Sequence, residues 1–182
     1  MATELEHIKE VIRNSPSART TLLETSAGTV EEVLSLMREA DWAHFACHGI
    51  QDVTDPTNSG LCLADGRRLK LCDIISLSRP RGGLAFLSTS QTAMGEKGLS
   101  DEAIHVAAGM LFAGYGGVIG RMWSVGDTLA SSVAKDVYGQ LFRNGTKPDY
   151  REAARALHAA IGRLRDRRAS FDEWLPFIHV GL

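Results

Sequence analysis

The sequence predicts an α/β fold, a mainly parallel central sheet covered by helices on both faces, with a small hairpin inserted. Three observations carry that expectation. Short continuous apolar runs alternate with amphipathic segments, the pattern of strands buried between helices. Helix-start signatures stand where the pattern changes, at Thr29-x-x-Glu32, Ser100-Asp-Glu and Asp149-x-x-Glu152. An Asp65-Gly66 dipeptide divides two short apolar runs, as in a hairpin.

In chain order, Glu4–Arg13 carries Leu5, Ile8 and Ile12 at helical spacing, and Pro16 between two serines ends it. Thr20–Leu23 is a short β-branched and leucine run. Thr29–Ala40 is amphipathic, with Val33, Leu34, Met37 and Ala40 on one face, and Trp42–Cys47 reads as a buried strand. Residues 49–60 form a polar loop. Leu61–Leu71 is the hairpin, with Asp65 and Gly66 both expected at positive φ. Asp73–Leu77 makes a helical turn, Leu84–Ser88 a second buried strand and Thr89–Leu99 a loop. The helix opened by Ser100 is expected to bury Ile104, Ala107, Ala108 and Leu111. A strand over Gly116–Met122 precedes a helix over Asp127–Phe142, with Leu129, Val133, Val137 and Leu141 inward. The helix capped by Asp149 turns Ala153, Leu157, Ile161 and Leu164 inward, and Pro176–Val180 is a terminal strand.

The 182 residues suit one domain, since domains run to about 100–200 residues. Neither an internal repeat nor a low-complexity tract divides them. Apolar residues at 44% and charged residues at 23% exclude a disordered tail or a coiled coil. Twenty Lys+Arg against twenty-two Asp+Glu, with a net charge of −2, predict no nucleic-acid partner. The longest apolar stretch, Ala103–Ala113, holds His105 and is shorter than the about 20 residues of a membrane span. The charged N-terminus is not a signal peptide. Cys47, Cys62 and Cys72 are odd in number and lie in apolar runs, so they read as reduced thiols in a cytoplasmic protein, with Cys62 and Cys72 in the core.

Functional residues of a parallel sheet sit past the carboxyl ends of its strands. Two strands end in polar residues there: Trp42-Ala-His44-Phe-Ala-Cys47-His48-Gly49 and Leu84-Ala-Phe-Leu-Ser88-Thr89-Ser90-Gln91. Both endings fall on one rim, which brings His48 near Ser88, Ser90 and Gln91. An imidazole beside a hydroxyl or thiol is the minimum for nucleophilic catalysis, because the ring takes the proton. The competing reading has His48 cap a strand end while the serines satisfy backbone groups.

The segments His44–Gly49, Ser59–Gly66 and Phe86-Leu-Ser-Thr-Ser-Gln-Thr-Ala93 closely resemble the CHAT domain, a caspase-like family often found behind tetratricopeptide repeats. Asp101–Gly109, Ala113–Gly120, Met122–Asp127 and Trp174–Gly181 extend the resemblance over essentially the whole chain, and fungal versions are the most similar. The resemblance implies a caspase-like three-layer sandwich and a Cys–His endopeptidase with no cofactor and a protein or peptide substrate. Its catalytic histidine falls on His48 and its nucleophile on Ser90. Gly49 and residue 90 would lend the oxyanion amides. Gln91, Asp127 and Asp101 are the substrate-binding candidates, the two acids for a basic P1 side chain; as helix-start residues, both acids also suit the macrodipole.

Serine at position 90 departs from the family. A thiol near pKa about 8.5 becomes a thiolate beside a histidine, whereas a serine hydroxyl needs a base held by a third group. No third partner and no Gly-x-Ser-x-Gly elbow is present, so little or no hydrolysis is expected. A Cys→Ser replacement made to silence a protease and a natural pseudoprotease leave the same sequence. A non-catalytic module that binds peptides through the same cleft is the alternative function. The family also opens with a strand before the first helix read here, so the expectation is a fragment with repeats upstream or an edge paired in a dimer.

Other readings are weaker. His44, Cys47 and His48 lack a fourth metal ligand, so no metal site is expected. Gly114-x-Gly-Gly117 has no following Gly-Lys-Ser/Thr and reads as a tight turn rather than a phosphate loop. Arg163-x-Arg-x-Arg-Arg168 complements a helix C-terminus, and His105 and His179 read as structural.

Overall fold

The computed structural model describes residues 2–13, 28–50, 52, 54–63, 65–78, 80, 82–91, 101–145 and 147–182. Thr20–Leu23, the Ser100 cap and residues 92–99 of the expected loop lie outside them. In order come α1 (Ala2–Arg13), α2 (Val30–Glu39), β1 (Ala43–Phe45), β2 (His48–Ile50), β3 (Gly60–Cys62), β4 (Arg68–Lys70) and α3 (Leu71–Ile75). Then follow β5 (Leu84–Leu87), β6 (Ser90–Gln91), α4 (Asp101–Phe112), β7 (Gly117–Arg121), α5 (Asp127–Leu141), α6 (Ala153–Asp166), α7 (Phe171–Trp174) and β8 (Phe177–Gly181).

The central sheet has the order β1-β5-β7-β8, the first three parallel and β8 antiparallel at one edge. Residues of β5 alternate between its faces, as the pleat requires. Leu84 and Phe86 join one cluster with Ile119, Val133, Val137, Leu157 and Leu164, beneath α1, α5 and α6. Ala85 and Leu87 join the other with Met37, Ile74, Met110 and Val118, beneath α2, α3 and α4. A strand buried on both faces reads as a continuous apolar run, which is why Leu84–Leu87 is legible as one.

A second sheet, β4-β3-β2-β6, prolongs the first. β2 follows β1 after Ala46 and Cys47, and β6 follows β5 after Ser88 and Thr89. The hairpin is therefore no isolated insertion, because β3 pairs antiparallel with β2. Its turn also differs from expectation. Only Gly66 takes positive φ, at +80°, while the Asp65 carboxylate accepts the Arg67 amide at 2.9 Å and its Nε at 2.6 Å. That side-chain turn replaces the second left-handed residue.

Helix α2 keeps its capping box, Thr29 Oγ1 accepting the Glu32 amide and Glu32 accepting the Thr29 amide. Helix α4 is rotated from the expected face. Val106, Ala107 and Met110 are buried, whereas Ile104 is 47% exposed and Ala108 and Leu111 half-buried. An almost wholly apolar helix carries no stripe to fix its rotation. Cys72 is exposed rather than in the core and Cys62 is half-buried. Gly114, at φ +109°, turns α4 into β7, and a Cβ on Gly116 would run into the Tyr150 ring, so this glycine run serves packing.

Candidate functional site

His48 opens β2 at the carboxyl end of the β1 line, and Ser90 opens β6 at the carboxyl end of the β5 line. The strands pair in parallel with His48 opposite Ser90 and Gly49 opposite Gln91. Register partners share a face of the sheet and stand about 4.8 Å apart from strand to strand. The two strand endings picked out in the sequence are thus direct neighbours.

Main-chain direction at Gly49 follows from the hairpin. Leu63 N–H donates to Arg67 and Leu71 N–H to Ser59, so Leu61 between them turns its main-chain groups toward β4. Gly60 and Cys62 turn theirs toward Ile50 and His48. Gly49, between those two, faces its amide toward β6 and position 90. Gly49 is also buried.

Asp127 is the first residue of α5, exposed, and within electrostatic range of Arg121. Asp101 is the first residue of α4, a helix that packs against β2.

The third parallel strand also ends in a polar residue on this rim, one the sequence reading passed over. Arg121 closes β7, is 5% exposed, and donates from Nη2 to the Thr89 carbonyl at 2.9 Å. Its Nε and Nη1 have no hydrogen-bond partner among the described residues. Burial pushes the guanidinium pKa down, against the charges of Glu4 and Asp127. Glu4 of α1 is 4% exposed beneath the same strand ends. His44 Nε2 lies 3.3 Å from its Oε1. Burial opposes ionisation of Glu4, yet His44, the Ser88 hydroxyl and the Arg121 charge together hold its carboxyl below the usual range. His44 Nδ1 is 3.2 Å from the Tyr138 hydroxyl, and burial and the Glu4 charge push that phenol's pKa up. One signal was available for Glu4: it lies four residues before Ile8 on the apolar stripe of α1.

No cluster of three His, Cys, Asp or Glu suited to a metal occurs among the described residues. His44 stacks on Phe86 at 4.8 Å, while Cys47 packs into the opposite cluster. The Cys47 thiol is pushed up to about 12 by burial and by Cys62, which leaves it a poor nucleophile. Trp123 donates from Nε1 to Asp172 at 3.0 Å, which ties the segment after β7 to α7. Arg163 binds Asp136 at 2.9 Å and Arg165 lies over the Trp174 ring, so both serve packing.

The family model described as CHAT domain matches residues 1–182. The chain belongs to the CHAT domain family. A CHAT domain is a caspase-like, peptidase-related module, and the parallel sheet between two helical layers fits that architecture. Comparison with curated proteins gives no match. No helix among the described residues is long and apolar enough to cross a membrane.

Proposed function

We propose that this CHAT domain is a peptidase-derived module that receives a peptide segment of a protein partner at the His48–Ser90 rim, with hydrolysis lost at position 90. The observation that carries the reading is the parallel register of His48 with Ser90. His48 is the general base of the ancestral dyad and position 90 its nucleophile. With a hydroxyl there, far less acidic than a thiol, the proton transfer to His48 that would activate it has little driving force. The Gly49 amide, facing position 90, supplies the oxyanion donor once it parts from the β6 pairing. Asp127 and Asp101 are the acids for a basic P1 side chain, and Gln91 is a further substrate-binding candidate.

The test is Ser90→Cys exposed to a peptide electrophile with arginine at P1, beside the same change in a His48→Ala background. Labelling of residue 90 that depends on His48 supports the reading. A folded Ser90→Cys protein that stays unlabelled across several P1 residues would sink the dyad and leave peptide binding without ancestral chemistry.

A further inference from the structure

Residue 90 is the first of the described residues of strand β6 (Ser90–Gln91). Between it and the buried β5 stand Ser88 and Thr89, and three other elements grip them. From β1, the Phe45 carbonyl accepts the Ser88 amide at 2.9 Å. From α1, the Glu4 carboxylate meets the Ser88 hydroxyl. From β7, Arg121 Nη2 donates to the Thr89 carbonyl at 2.9 Å. Glu4 and Arg121 are each at least nine-tenths buried and feel one another's charge. Burying such a pair adds stability unreliably, and well-packed apolar residues often do as well. An apolar pair, however, aims no donor at a carbonyl.

Resting on the reading of position 90 given above, we propose that Arg121 and Glu4 form a clamp on the Ser88–Thr89 link, which holds residue 90 in register with His48. Arg121 is the positioning residue, and Glu4 keeps the guanidinium aimed at Thr89 while fixing Ser88. Neither need touch a bound peptide.

The test is hydrogen–deuterium exchange of the otherwise unaltered chain, read by mass spectrometry on peptides spanning residues 88–91. Arg121→Met is expected to speed exchange there about tenfold, with little change in β7 and β8 beyond the global loss of stability. Arg121→Lys, which keeps a donor and the charge, should retain most of the protection. The double variant Glu4→Gln/Arg121→Met removes both buried charges together, so its melting temperature should recover toward the parent's while residues 88–91 stay unprotected. Unchanged exchange in Arg121→Met, or a double variant that regains protection along with stability, would overturn the clamp and leave a charge-balanced pair. Should Arg121→Met not fold, the double variant and Arg121→Lys decide alone.

A second arm uses Ser90→Cys. Adding Arg121→Met should slow labelling about tenfold at saturating electrophile, with little change in the concentration for half-saturation. Labelling untouched by Arg121→Met overturns the clamp alone. Failure of Ser90→Cys itself to label strikes the reading of the dyad, while the exchange data still judge the clamp.

Discussion

Glu4→Gln is the most informative single change for stability. The parent carboxylate is 4% exposed and faces His44 at 3.3 Å, with Ser88 and Arg121 around it. Removing one member of a buried charge pair costs about 3–5 kcal/mol. Glutamine keeps the volume and a carbonyl acceptor for the Ser88 hydroxyl, so the lower end, about 3 kcal/mol, is expected. For a chain of this length that is a fall of roughly 6–12 °C in melting temperature. The pH dependence has a defined sign. The folded-state pKa of Glu4 lies below the unfolded value, so its stabilisation is complete above about pH 4.3 and drains away as pH falls through the folded value. The gap between parent and Glu4→Gln is therefore widest near neutrality and narrows below about pH 4. Urea unfolding followed by tryptophan fluorescence from pH 7 downward measures it. A gap under about 0.5 kcal/mol at pH 7, within the range of an ordinary surface change, would refute the reasoning. So would a gap that stays constant into acid.

Other outcomes follow from the same contacts. Cys47, with its thiol near 12, should resist iodoacetamide at pH 8 in the folded chain while exposed Cys72 reacts, and the difference should vanish in denaturant, as peptide mapping would show. Gly116→Ala drives a methyl into the Tyr150 ring and should cost about 1–3 kcal/mol in chemical denaturation. Met110→Ala, at a fully buried position, should cost about 2–5 kcal/mol. Ile104→Ala on the outer face of the same helix should stay within about 0.5 kcal/mol; equal losses would mean that α4 is rotated back to the face its sequence suggested.

What the sequence made legible was local. The Thr29–Glu32 capping box, the apolar run Leu84–Leu87 and the stripe of α5 through Val133 and Val137 depend on neighbours a few residues away, and each stands where its pattern puts it. The rim was legible as well, because strand endings at His48 and Ser90 interrupt apolar runs with polar side chains. Arg121 interrupts one in the same way, but no nearby histidine or cysteine drew attention to it. Glu4 was hidden more deeply, since a carboxylate on an apolar stripe makes sense only beside the Arg121 and His44 that reach it from distant segments. The rotation of α4 had no local determinant, and the short helix α7, with its Ser170–Glu173 capping box, was passed over although the box is written in the sequence.

The pairing of α1 with α5 has a consequence for time. His7 and Ser131, 3.1 Å apart, are separated by 124 positions, and Glu4 waits on Arg121 across a similar span. Ribosomes add about 5–20 residues per second, so a newborn α1 spends several seconds without the strand whose Arg121 faces its carboxylate. Through that interval the rim has no floor. If Arg121 clamps the Ser88–Thr89 link as proposed, His48 and residue 90 settle in register only once β7 has emerged. On the proposed reading of position 90, a cysteine there would be kept idle by the same wiring while its own chain was still being made.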